Sequence, residues 1–207
     1  MIQEIQQIQK QYDQIVAMSA KAAFLAPTLF RLLLAWVFFW AGYQKLSNLD
    51  GVIAFFGQGL GFPFPTLMVA LVITTELIGG LCMLLGLAVR LWTIPMMFTM
   101  VVAVLTVHAE HGWYAIAQSR FDNPPGWAAF LFNDQNVSER VSRINQIVSE
   151  HGNIDWIKES GRYSIVLLQN GIEFGAMYFM MLLSLFFTGP GCLSLDCYLR
   201  KYLRQLS

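Results

Sequence analysis

Residues 27–45 read PTLFRLLLAWVFFWAGYQK, and residues 64–87 read FPTLMVALVITTELIGGLCMLLGL. Each is long and apolar enough to cross ~30 Å of hydrocarbon at ~1.5 Å per residue. Working outward, Arg90–His108 and Ile165–Thr188 have the same character and complete a set of four spans. Pro27 stands where a helix start tolerates it. Pro95 is expected to bend the first turns of the third span, and Gly189-Pro190-Gly191 stops the fourth. Composition agrees: of 207 residues 56% are hydrophobic and only 13% charged, with a formal net charge of zero, whereas a soluble domain carries about 25% charged residues. A chain of this size cannot bury so much apolar surface in one water-exposed core. Disorder and nucleic-acid binding by a basic face are excluded by the same balance, and three cysteines without a tight pair make no disulfide framework. The expected fold is all-α, an integral membrane four-helix bundle.

Ahead of the first span, Ile2, Ile5, Ile8, Tyr12, Ile15 and Val16 recur at helical spacing among Gln, Glu and Lys. This pattern predicts an amphipathic helix, lying along the membrane surface or packed on the protein's own extramembrane loop. The expected organisation is an N-terminal amphipathic segment (1–26), spans one to three (27–108), an extracytoplasmic loop or cap (109–163), and span four with a tail (164–207). The loop mixes Trp113, Tyr114, Trp127, Phe130, Phe132 and Trp156 with a polar, helix-compatible run from Val137 to Glu150, and Asn123-Pro124-Pro125-Gly126 breaks it. Such aromatic density suits a cap at the headgroup level. Lys10, Lys21, Arg31, Arg90, Arg200, Lys201 and Arg204 all fall on one side if both termini are cytoplasmic, which is the orientation expected for a multi-pass protein of a bacterial inner membrane. No removable signal peptide is expected.

The informative residues are the charges within the spans. An ionisable side chain at mid-bilayer costs at least ~2.5–3.5 kcal/mol on insertion scales, so it faces protein and takes a partner. Arg31 opens span one, Lys45 closes it, Glu76 sits near the middle of span two, and Glu173 lies about a third of the way into span four. At ~100° per residue, Arg31, Phe38, Gly42 and Lys45 share one narrow arc. The expectation is a neutral set: Arg31 with Glu76, and Lys45 with Glu173, with Asn170 one turn above. The set either holds helices in register or forms a proton-handling or ligand-binding site. Gly171 and Gly175 form a Gly-x-x-x-Gly pair expected to pack helix on helix.

His108, Glu110 and His111 cluster where span three leaves the membrane. Histidines three apart on a helix share a face and can bind a transition metal with one further ligand, or serve at a helix end. Cys192 and Cys197 lack the spacing of a redox CxxC pair, and the ten methionines fall mostly within spans as core filling. No P-loop, GxGxxG, HExxH or GxSxG pattern is present.

The segments RLLLAWVFFWAGYQKL (31–46), GFPFPTL with TTELIGG and LGLAVR (61–90), the TVH end of span three, and NGIEF with GPGCLSLD near the C-terminus resemble the DoxX family of four-span membrane proteins. The PFP, TTE and TVH elements are similar to an HvfX-like branch associated with copper-binding modified peptides. The resemblance implies an accessory subunit of a membrane redox system concerned with quinone, sulfur or oxidative-stress chemistry. A non-catalytic partner in maturation or export of copper-binding peptides is the alternative. Arg31, Lys45, Glu76 and Glu173 occupy the family's polar positions. The cofactor implied is quinone or copper; the partners are the lipid bilayer, other membrane or periplasmic redox proteins and a second copy of the chain, with no nucleic acid.

Overall fold

The computed structural model describes residues 2–116, 125–131, 137–152 and 167–206. Among them the regular structure is helical, with one isolated antiparallel bridge, Ile116 to Leu168. The helices are α1 (Ile2–Lys21), α2 (Leu25–Ser47), α3 (Leu49–Ala54), α4 (Pro65–Leu85), α5 (Val89–Ala103), α6 (Val137–His151), α7 (Glu173–Thr188) and α8 (Leu195–Leu206). Leu25–Ser47, Pro65–Leu85 and Val89–His111 are long and apolar enough to cross a membrane, and α7 is a shorter apolar helix. The protein is an all-helical membrane bundle. The chain divides into two compact units, Met1–Thr99 with Phe179–Ser207, and Met100–Tyr178.

In the first unit α2 and α4 lie in close contact, and glycine makes the approach possible. A Cβ on Gly42 would stand 2.9 Å from the Cβ of Glu76, and one on Gly80 would stand 2.9 Å from the backbone nitrogen of Phe39. The buried side of α2 takes in Arg31, Phe38 and Gly42 of the arc read from the sequence, together with Leu34 and Ala35. Its other side is apolar and exposed, as at Leu29, Trp36 and Phe39, which lipid rather than water accommodates. Proline opens α4 at Pro65, and Gly86 closes it in the left-handed region (φ 70°), with the Leu87 N–H donating to Cys82 O at 2.9 Å.

The start of α5 is capped from far along the chain. Asp196 Oδ1 accepts from the Ala88 N–H at 2.7 Å, and Oδ2 accepts from the Val89 N–H at 3.0 Å. The Asp196 N–H donates in return to Gly86 O at 2.9 Å. A carboxylate on two otherwise unpaired helix-start donors is worth about 1–2 kcal/mol. Asp196→Ala is therefore expected to lower the thermal midpoint in detergent by several degrees. Asp196→Asn, which keeps one acceptor, is expected to lose less; equal midpoints for all three proteins would refute the cap.

The second unit contains the clearest departure from expectation. Span four does not begin near Ile165: residues 167–172 are non-helical and α7 starts at Glu173. Asn170 takes a left-handed conformation (φ 61°), and residues 169–173 bond to the 112–115 backbone instead of to one another. The N–H groups of Gln169 and Asn170 donate to Ala115 O, Gly171 to Tyr114 O, Ile172 to Gly112 O and Glu173 to Trp113 O, at 2.9–3.0 Å. Asn-Gly is a turn signal that apolarity overrode in the sequence reading. Consequently Gly171 and Gly175 do not form one helical face. Gly171 lies against the backbone of 112–114, and Gly175 lies against Val104.

The N-terminal amphipathic segment forms α1 where its periodicity puts it, and the polar run from Val137 forms α6 across Val137–His151. Along α1, Ile5, Ile8, Tyr12 and Ile15 are exposed. The expected Asn123-Pro124 break, Phe132 and Trp156 lie outside the described residues.

Candidate functional site

The buried charge of α4 has one partner, and it is not the one expected. Lys45 Nζ donates to Glu76 Oε1 at 2.7 Å and to Oε2 at 2.8 Å. The Glu76 side chain is 5% exposed and that of Lys45 28%. Gly42 is the cause, because without a side chain there it lets Glu76 press onto α2, and Lys45, one turn further on, folds over the carboxylate. Arg31 is on the same arc, but ~16 Å of helix axis separates it from Gly42, beyond a guanidinium's reach.

Arg31 instead belongs to the knot at the other end of α2. It is 3% exposed, and its Nη2 donates to Leu193 O at 2.6 Å. The carboxylate acting on it is that of Asp196. Arg31 Nε and Nη1 are buried without a hydrogen-bond partner among the described residues. Arg90 repeats the pattern, with Nη2 donating to Phe187 O at 3.1 Å. Arg90 thus ties the opening of α5 to the last turn of α7, and Arg31 ties α2 to the segment that follows it.

Glu173, expected opposite Lys45, serves its own unit: Oε2 accepts from the Ala115 N–H at 3.0 Å. Asn170 is not a turn above it on a helix but precedes the helix, where its carbonyl meets His108 Nδ1 at 2.8 Å. Sequence reading passed over Gln169, which is 7% exposed and donates from Nε2 to His111 O at 2.7 Å. A polar residue beside the Asn-Gly turn was the signal available.

The His108, Glu110 and His111 face does not form as expected either. The backbone leaves α-helical geometry there, with a π-helical turn over Val104–His108 and a 3₁₀ turn over Ala109–His111, and His108 Nδ1 is engaged by Asn170 O. His111 Nε2 lies 3.5 Å from Glu110 Oε1. Among the described residues, no three His, Cys, Asp or Glu side chains gather as a metal site would require.

Aromatic side chains on α2 stack in a ladder, Trp36 on Trp40 (ring centroids 6.1 Å) and Trp40 on Tyr43 (5.6 Å). By helical position they sit ~140–180° around α2 from Lys45, whereas Phe38 lies on the Lys45 side and is buried.

The ion pair, the Arg31 anchor and both close glycine contacts of α2 with α4 all fall within one stretch, and residues 26–109 match the DoxX family model. The chain is also similar to a protein named putative oxidoreductase CatD from Bacillus subtilis (strain 168), 33% identical over 79 residues. That similarity covers 38% of this chain and 57% of the relative's length, so the chain spans little more than half of it. No solved structure is a significant match. The matched stretch contains Arg31, Lys45, Glu76 and His108, while Asn170 and Glu173 lie beyond it.

Proposed function

We propose that the protein is the membrane subunit of a redox assembly, and that the Lys45–Glu76 pair is the docking point for a quinone. The carrying observation is the geometry of that pair. Glu76 uses two of the three N–H donors of the ammonium, and Lys45 stays partly exposed. One N–H is left for a carbonyl oxygen arriving from outside the helix pair. Glu76 holds the ammonium in place; electrons come from an electron-donating partner protein, at the membrane or in the periplasm. Two further facts support the reading: the stretch matching the DoxX family model encloses the pair, and the similar bacterial protein is named a putative oxidoreductase. The short-segment cations support an inner-membrane location with both termini cytoplasmic.

The aromatic ladder has no part in this site, because it lies on the other side of α2. The copper-peptide alternative lacks comparable support, since His108, Glu110 and His111 do not gather.

Quinone retained by the protein in lipid nanodiscs tests the proposal. A hydrogen bond from a charged donor is worth about 1.5–3 kcal/mol, or roughly tenfold to a hundredfold in affinity. Lys45→Gln is expected to lose quinone by that factor, and Lys45→Arg to retain part of it. Wild-type protein that binds no quinone, or a Lys45→Gln protein that binds it equally well, would overturn the assignment.

A further inference from the structure

The turn after α7 and the last helix enclose a second feature, unrelated to the ion pair. A cavity of about 330 Å³ lies between the Gly189-Pro190-Gly191 turn, the start of α5 and α8. Four cations line it, Arg90, Arg200, Lys201 and Arg204, and no carboxylate does. Asp196, the acid of α8, has both oxygens engaged by the Ala88 and Val89 N–H groups. Arginines with lysine at a helix-bundle end suit phosphate oxygens.

The two sides of α8 differ sharply. Leu195, Tyr198, Leu199, Tyr202 and Leu206 recur at i, i+3, i+4, i+7 and i+11 and are exposed. Cys197, Arg200, Lys201 and Arg204 form the opposite side and line the cavity. An apolar stripe with a basic back is the pattern of a helix resting at a bilayer surface, where phosphate groups are concentrated.

We infer that this cavity binds a phosphate group, carried by an anionic lipid headgroup or by a soluble phosphate compound. The two sources share one recognition chemistry, cationic side chains meeting phosphoryl oxygens. Basic pockets at the ends of membrane helices bind lipid headgroups in this way.

The experiment uses the full chain in detergent and in nanodiscs. One arm measures retention of phosphatidylglycerol against phosphatidylcholine by native mass spectrometry; the other measures binding of inorganic phosphate and pyrophosphate by calorimetry. Arg200→Gln with Lys201→Gln is the variant of choice, because both side chains are exposed and neither makes the hydrogen bonds of the Asp196 cap. At about a factor of five per cation, the double variant is expected to bind roughly tenfold to thirtyfold more weakly. The charge-keeping pair Arg200→Lys with Lys201→Arg is expected to bind as wild type does. Raising the salt concentration should weaken wild-type binding, a readout independent of any variant. Selective binding in the first arm identifies the lipid as the source, and binding in the second identifies a soluble phosphate. No preference for phosphatidylglycerol together with no phosphate binding would overturn the inference, as would a double Gln variant that binds like wild type.

Discussion

Replacing Lys45 with methionine is expected to destabilise the folded protein by about 3–5 kcal/mol, because it leaves a buried carboxylate without its counter-charge. Glu76 is 5% exposed on its side chain, and both of its oxygens rest on the lysine ammonium. The reverse deletion is expected to be milder. In Glu76→Gln the lysine, 28% exposed, can extend along its alkyl stem toward water, while the amide oxygen still accepts from it. The ordering Lys45→Met worse than Glu76→Gln is thus a consequence of unequal depth. Removing both charges, Lys45→Met with Glu76→Leu, is expected to recover much of the loss, since a buried pair contributes little beyond what apolar packing supplies. Thermal midpoints in detergent, read by fluorescence-detected size exclusion, check all three; the single lysine variant should fall by on the order of 10 °C. A Lys45→Met protein as stable as wild type would sink the account of the pair. Recovered stability together with lost quinone binding in the double variant separates the pair's structural role from its proposed chemical one.

The second large effect lies at the other end of α2. Gly86→Ala is expected to cost about 3–4 kcal/mol from two sources. The residue has φ 70°, a conformation that penalises an L side chain by roughly 1–2 kcal/mol. Its new Cβ would also collide with Arg31 Nη1 and come within 2.5 Å of Ser194 Cβ. Displacing the guanidinium breaks its bond to Leu193 O and strands a buried charge-assisted donor, worth about 1.5–3 kcal/mol. Because Gly86 and Arg31 touch, the double variant Gly86→Ala with Arg31→Ala should lose clearly less than the two single losses summed. Strict additivity in a double-mutant cycle would show that the collision is not the cause.

Much of the architecture was legible because membrane insertion is read from local sums of hydropathy. Spans one to three fall within a few residues of their expected limits, α1 appears where apolar periodicity puts it, and α6 forms on the polar, helix-compatible run. Arg31, Phe38 and Gly42 share the buried arc of α2 for the same local reason. The misreadings share a different cause. Apolar content carried span four back to Ile165, although Asn170 and Gly171 turn the chain and bond it to residues 112–115. His108 and His111 were stacked on an ideal helix, whereas the helix widens and then tightens across them. The basic and apolar sides of α8 were present in LDCYLRKYLRQL, yet only its cations were counted.

Taken alone, the amino-acid order settled which solvent surrounds the protein, because that depends on short runs of neighbours along the chain. Which charge meets which was decided by tertiary structure. Partner choice depends on how each helix is rotated about its axis and on how near two helices come. At Gly42 that approach delivers Glu76 to Lys45, while Arg31 is left to a carbonyl of the turn after α7. Complementary charges on helices are interchangeable on paper; only the missing side chain at the contact, a non-local property, distinguishes them.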